Sequence, residues 1–222
     1  FAYHSGKIEN DEINYHDTRE IFENGKVINY TGSTRTLFEQ QNQKTCYELL
    51  QSKILAQEPL SLPLVRTIHR TLTEGTYDEH RYITNGERPG AFKKHDYVTG
   101  KNEVGSPPEA VADDLTELIE EVNAIGAQAP LKAGVYFYAR FENIHPFADG
   151  NGRVGRTLLN YWLMINHYPP LVIYEEDRRA YYDALQTYDE QEDLAPLVTF
   201  LEDQTVKTWI RFLKPPAGNA PP

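Results

Sequence analysis

The sequence predicts an all-α fold with a small β-hairpin attached. Three observations carry that expectation. Apolar residues recur at helical spacing in seven stretches, and turn signals between them are sparse. The segment from Gly86 to Gly105 breaks the pattern, with glycine, polar residues and a short β-like piece around Tyr97, Val98 and Thr99.

The helices are expected in this order. Thr36 to Leu55 carries Leu37, Cys46, Leu49, Leu50, Ile54 and Leu55, the stripe of an amphipathic helix. Leu62 to Leu72 follows with Leu64, Val65, Ile68 and Leu72. Pro107 and Pro108 are placed in the opening turn of a helix that runs through Ala110, Val111, Leu115, Leu118, Ile119 and Val122. Lys132 to Phe141 is apolar on most sides, as a central buried helix would be. Arg153 to His167 holds Leu158, Leu159, Trp162, Leu163 and Ile165 before Pro169 and Pro170 stop it. Asp177 to Leu185 and Pro196 to Phe212 complete the set. The final stretch, 214–222, has no core formers and is expected to be a mobile tail.

Composition narrows the function. A chain of 222 residues with 40% hydrophobic content can bury one substantial core. Its net charge of −11 repels a phosphate backbone over most of the surface, so no nucleic-acid partner is expected. A local pair of arginines can still override that field for a nucleotide. The single Cys46 excludes an intrachain disulfide and a cysteine-rich metal site. No run approaches the ~20 apolar residues of a membrane span, so no membrane partner is expected. The expected setting is cytoplasmic, unless a segment outside this sequence delivers the chain elsewhere. The first residues do not read as a secretory signal, and without an initiator methionine an upstream segment is expected.

The chemistry concentrates in His145-Pro146-Phe147-Ala148-Asp149-Gly150-Asn151-Gly152-Arg153-Val154-Gly155-Arg156. Pro146 disfavours helical geometry at His145, so the imidazole stands where the chain leaves a helix. Near neutral pH it can accept a proton from an attacking hydroxyl. Asp149 is a hard oxygen ligand suited to Mg²⁺. Gly150-Asn151-Gly152 turns tightly, and its bare N–H groups can approach phosphate oxygens at the start of the next helix. Arg153 and Arg156, three apart on that helix, can present two guanidinium forks to successive phosphates. Each piece alone has an ordinary reading, such as a satisfied histidine, a turn or a solvated helix face. None of those readings explains the order.

These residues resemble the signature of the Fic family, H-x-F-x-[DE]-G-N-G-R-x-x-R, matched at every fixed position. The resemblance implies a Fic-type helical bundle with a β-hairpin flap. It implies a protein adenylyltransferase that moves AMP from ATP to a Ser, Thr or Tyr hydroxyl and releases pyrophosphate. His145 would be the base, and Asp149 would hold Mg²⁺. The Gly150–Gly152 backbone would cradle the α- and β-phosphates. Arg153 would help hold them, Arg156 would bind the γ-phosphate, and Val154 and Gly155 are counted with the nucleotide-binding residues. The related Doc branch carries an altered, lysine-containing loop; the unaltered Gly150-Asn151-Gly152 favours AMP transfer.

Beside that core, Ser5-Gly6-Lys7-Ile8-Glu9-Asn10 is similar to the family's inhibitory pattern [ST]-x-x-x-E-[GN]. The implied organisation is an inhibitory helical segment over 1–30, a core over 31–213 and the tail over 214–222. Glu9 would pair with Arg156 and deny it to the γ-phosphate, with Ser5 fixing the helix by hydrogen bonding and Asn10 completing the pattern. Glu9 could also position water to remove AMP from a modified target. The flap, Pro89 to Lys101, would pair with an extended protein substrate by main-chain hydrogen bonds. Val98, Thr99, Gly100 and Lys101 would face the nucleotide, with lysine near Lys93-Lys94 in place of a common flap arginine. Tyr181 and Tyr182 would lie near the nucleoside and Asp189 near the base, where asparagine is frequent. A homodimer is among the assemblies the resemblance allows. The competing readings are a de-AMPylating hydrolase and a quiet nucleotide-binding interaction module.

Overall fold

A computed structural model describes residues 1–98 and 105–213. The described residues are helical and contain no strand. Two short N-terminal helices, α1 (Ala2–Lys7) and α2 (Tyr15–Asn24), precede the long α3 (Thr34–Leu55) and α4 (Leu62–Thr73). Then come α5 (Val111–Ile125), α6 (Pro130–Ile144), α7 (Asn151–Ile165), α8 (Arg178–Gln191) and α9 (Ala195–Leu213).

Local chemistry sets the boundaries. Side-chain oxygens of Asn14, Ser33 and Ser61 accept the N–H groups of Asp17, Thr36 and Leu64, capping α2, α3 and α4. α2 ends at Gly25 in the left-handed region. The proline pair departs from expectation. α5 starts at Val111, and Pro107 instead closes a turn by accepting the Ala110 N–H at 2.9 Å. Pro108 drives Pro107 toward extended geometry, which keeps the pair ahead of the helix.

The centre of the molecule is the antiparallel pair α6 and α7, which α3, α4, α5 and α9 surround. Phe137, Tyr138 and Phe141 from α6 meet a layer containing Leu158, Leu159 and Trp162 from α7, all buried. Full burial of such side chains is worth roughly 1.5–3 kcal/mol each. Trp162 Nε1–H donates to the Pro130 carbonyl at 2.9 Å, tying the far end of α7 to the start of α6. The turn between these two helices is therefore held at a fixed place, and it carries the 145–150 loop.

The hairpin expected over Gly86 to Gly105 is not seen in its described part. A single π-helical turn, His80–Thr84, leads into turns and bends through residue 98. The remainder, 99–104, lies outside the described residues, as does the 214–222 tail. The chain on either side of 99–104 is pinned to the end of α6 and the turn after it: Lys93 N–H donates to the Pro146 carbonyl at 2.9 Å and Ser106 N–H to the Ile144 carbonyl at 3.0 Å. Backbone donors that would serve a hairpin ladder are used here to anchor the stem.

Candidate active site

Residue 145 closes α6. Its N–H donates to the Phe141 carbonyl at 3.0 Å, and its backbone is left-handed, with φ of 50° and ψ of 63°. That conformation ends the helix and turns the ring into a cleft of about 560 Å³. Gly105 abuts this position so closely that a Cβ there would stand 2.8 Å from His145 Cβ. Burial, reinforced by the charge of Lys93, pushes the imidazole down to about 4. A backbone hydrogen bond with Glu142 and the charges of Glu9 and Asp149 pull the other way. His145 is therefore a neutral ring at neutral pH.

The loop returns through Phe147, fully buried, to Asn151. The Asn151 amide locks this turn: its Oδ1 accepts the Phe147 N–H at 2.9 Å and its Nδ2–H donates to the Phe147 carbonyl at 2.8 Å. Asn151→Ala would leave both main-chain groups buried and unpaired. We expect a loss of about 2–3 kcal/mol, read as a fall in melting temperature of roughly 4–12 °C.

α7 begins without a side-chain cap. Gly150, at φ of 80°, occupies the N-cap position, so the first N–H groups of the helix lack a capping oxygen. At Gly152 a Cβ would lie 2.2 Å from Glu9 Oε1 and 2.8 Å from Arg156 Nη1. Only glycine lets the acid and the guanidinium meet over this turn.

Three carboxylates and three guanidiniums interlock here. Glu9 Oε1 lies 2.5 Å from Arg156 Nη2, and Glu9 Oε2 lies 3.4 Å from Arg153 Nε. Glu39 pairs with Arg153 Nη1 at 3.3 Å and Arg35 Nε at 3.0 Å. Asp149 Oδ2 accepts from Arg35 Nη2 at 2.7 Å, while its Oδ1 accepts the Gly150 N–H at 2.7 Å. Arg156 also donates from Nε to the Ser5 hydroxyl at 3.0 Å and from Nη2 to the Ser5 carbonyl at 2.9 Å. Ser5 thus ties α1 to Arg156, while its N–H donates to the Phe1 carbonyl at 2.9 Å within the helix. Asn10 Nδ2–H donates to Thr36 Oγ1 at 2.9 Å and Glu39 Oε2 at 2.8 Å, clamping the residues after α1 onto α3. Arg153 Nε and Nη1 are buried without an aligned hydrogen-bond partner, although acids stand nearby.

Glu142 and His69 complete the surroundings. Burial pushes the Glu142 carboxyl up to about 8, against the lowering charge of Arg156. Held protonated, it leaves Arg156 to Glu9. His69 stacks on Phe147 with centroids 3.6 Å apart and planes at 2°, and burial pushes it down to about 3.

The cleft gathers many of the residues singled out in the sequence. Glu9, Val98, His145, Asp149, Gly150, Asn151, Gly152, Arg156, Tyr181, Tyr182 and Asp189 line it together. Ser5 and Asn10 lie behind Glu9. Arg153 is buried in the ionic lattice. Val154 sits in the apolar core, and Gly155 packs toward Tyr138, Phe141 and Glu142, because the helical period turns both away from the cleft. Thr99, Gly100 and Lys101 lie outside the described residues. Sequence reasoning did not single out Arg35, Glu39, Arg81, Glu142 or His69. The available signal was weak: His69 falls on the apolar stripe of α4 beside Val65, Ile68 and Leu72, and Glu142 interrupts an apolar helix just before the motif.

Comparison with known proteins matches the geometry. Residues 59–163 fit the profile of the Fic/DOC family. The chain is 26% identical over 227 residues to protein adenylyltransferase fic-1 of Caenorhabditis briggsae, covering 99% of this chain and 42% of that protein. It is 30% identical over 215 residues to protein adenylyltransferase Fic of Drosophila persimilis, covering 95% and 40%. The chain thus spans about two fifths of the length of these curated relatives. A Fic-domain-containing signalling protein from Bacteroides thetaiotaomicron superposes with a TM-score of 0.83 at 23% identity, over 95% of this chain and 83% of that one. Fic-1 of C. elegans (residues 134–508) gives 0.81 at 25% identity, over 96% and 61%. No helix among the described residues is long and apolar enough to cross a membrane.

Proposed function

We propose that this chain, whose residues 59–163 fit the Fic/DOC family, is a protein adenylyltransferase acting on Ser, Thr or Tyr hydroxyls. The observation that carries the reading is the convergence of His145, Asp149, the uncapped start of α7 and Arg156 on one cleft. The residues present fit a metal-bound triphosphate. Asp149 offers a hard oxygen on the cleft wall, the missing Cβ of Gly152 leaves room for an acidic group against Arg156, and Arg153 stands nearby with Nε and Nη1 in ion pairs but no aligned hydrogen bond. Mg²⁺ held at Asp149 would neutralise charge on the phosphates. The N–H groups of 150–152 would receive phosphate oxygens, and Arg156 the terminal phosphate.

His145, neutral and at the cleft, takes the proton from the target hydroxyl as its oxygen attacks the α-phosphorus. The bond from that phosphorus to the bridging oxygen breaks, and pyrophosphate leaves. The substrate segment would lie along the flap, Pro89 to Lys101, in which Lys93 is fixed to the same loop through Pro146.

Glu9 gives the site its regulation. Its carboxylate occupies the Arg156 fork and repels the terminal phosphate, so ATP would sit with its α-phosphate out of line. The 1–30 segment in this reading is an inhibitory module laid on the core of 31–213. A second reading, removal of AMP by water that Glu9 positions, draws on Glu9 and His145 lining the same cleft.

The test is label transfer. Label from the α-phosphate of ATP should appear on protein with release of pyrophosphate, and label from the γ-phosphate should not. The reverse pattern would mark phosphoryl transfer and overturn the reading. In a Glu9→Gly background, Arg156→Ala is expected to reduce transfer by ~10²–10³-fold, the usual cost of removing one charge-stabilising donor. Unchanged rates would remove Arg156 from the site.

A further inference from the structure

We propose that His69 is a positioning residue for the catalytic turn, fixing Asp149 through its carbonyl and joining that turn to the stem of the 86–105 segment. The proposal rests on the transferase reading for its consequence, and on hydrogen-bond geometry for its substance. His69 lies on α4 with no exposed surface and does not line the cleft. Its Nδ1 accepts the Gly90 N–H at 2.8 Å. That donor leaves Nδ1 no proton, so the ring proton resides on Nε2. Nε2 stands 3.1 Å from the Asp149 carbonyl oxygen and donates to it, with the Tyr77 hydroxyl 3.3 Å away. Phe147 stacks flat on the ring and fixes its plane.

The placement of Asp149 follows. Its carbonyl is held by His69, and its side-chain Oδ1 is held by the next N–H, that of Gly150. Rotating the peptide after Asp149 would move the carboxylate and the N–H groups of the α7 start together. The Gly90 end ties in the stem: the Gly90 carbonyl accepts Arg66 Nε–H at 2.8 Å, and three residues on, Lys93 N–H reaches Pro146. One imidazole therefore joins the two surfaces that would hold nucleotide and target. Packing alone predicts something different, because an apolar ring would fill the same space.

Two amide substitutions separate the contacts. His69→Gln can place an N–H near the former Nε2 and reach Asp149. His69→Asn can place an acceptor near the former Nδ1 for Gly90 and is too short for Asp149. Both lose the stack on Phe147, so both should melt lower by a similar amount. In a Glu9→Gly background, transfer should fall ~10²-fold in kcat for His69→Asn, the cost of about 1 Å of misplacement, with the KM for protein target little changed. His69→Gln should recover to within roughly tenfold of the parent. Calorimetric titration with Mn²⁺ and α,β-methylene-ATP gives a readout without turnover, and there too the asparagine variant should bind more weakly than the glutamine variant. Phe147→Leu, which keeps both hydrogen bonds, should cost less in kcat than His69→Asn. Equal losses for asparagine and glutamine, in rate and in Mn²⁺-dependent binding, would overturn the proposal and leave packing as the whole role. Should the parent transfer no AMP at all, the function is misread, and the Mn²⁺ titration still decides the role of His69.

Discussion

Glu9→Gly is expected to raise AMP transfer by about 10²-fold or more, since a misplacement of ~1 Å at a reacting centre is worth that much. Arg156 is the residue that Glu9 occupies. Its guanidinium is almost fully buried, with Nη2 on Glu9 and on the Ser5 carbonyl and Nε on the Ser5 hydroxyl. Burying that charge is tolerable because the carboxylate answers it. Glycine at 9 removes the carboxylate and leaves the Ser5 contacts in place. In the proposed reading the freed fork would take the terminal phosphate of the nucleotide, and that contact would draw the α-phosphate into line with His145. Two measurements check this. Incubation with ATP and Mg²⁺, followed by intact-mass analysis, should show adducts accumulating faster for Glu9→Gly than for the parent chain. In the absence of nucleotide the variant should melt lower than the parent, and ATP with Mg²⁺ should restore it by more than it raises the parent. Identical adduct rates for the two chains would remove the inhibitory role.

Most helices were legible because they have a buried apolar stripe and a chemical stop; in α3, the longest, only Cys46 and Leu50 of the expected stripe are buried, Leu55 is exposed, and the first half buries the polar Thr36, Glu39, Gln40 and Gln43. Ser33 and Ser61 begin two of them and His145 with Pro146 ends a third. The 145–156 stretch was legible for a different reason: its residues are contiguous, so spacing alone brings His145, Asp149, Gly152 and Arg156 together. Residues recruited from elsewhere in the chain were harder to read. Arg35 and Glu39 join the site from α3, more than a hundred positions away, and a sequence cannot distinguish their i,i+4 pair from an ordinary solvated one. Glu39 is buried where Asn10 reaches it, and the more exposed Arg35 links it to Asp149, which makes the pair part of the lattice. Glu9 stands between these cases. Its pattern is short and would mean little alone; the core beside it gives it meaning, and the 2.5 Å contact with Arg156 closes the distance. The hairpin expectation drew on local composition at Tyr97 and Val98, and main-chain anchoring to Ile144 and Pro146 took precedence in the described part.

His145→Ala, placed in the Glu9→Gly background, is expected to lower transfer by ~10²–10⁴-fold, the range for loss of a general base. Nucleotide binding should survive, because the phosphate contacts proposed here come from the 150–152 backbone, Asp149 and Arg156. Binding retained with transfer lost would mark a chemical role; loss of both would indicate a disturbed loop, since residue 145 also terminates α6 in a left-handed conformation. His145→Asn guards against that outcome, because asparagine tolerates the same backbone region. The acid limb of the pH profile gives an independent check. Burial first, and the Lys93 charge second, hold the imidazole near 4 in the free enzyme. Its neutral form, the competent base, is therefore present above that value and is lost as pH falls through it. The kcat/KM of the Glu9→Gly chain should stay flat from pH 7 down toward 5 and then fall, as far as the fold survives. An acid limb centred near the ordinary histidine value of about 6.5 would place the ring in water rather than in this cleft. Loss of Glu9 deepens the effect, because its charge is one of those raising the imidazole. Bound triphosphate acts oppositely, so the limb for kcat should lie at higher pH than the limb for kcat/KM.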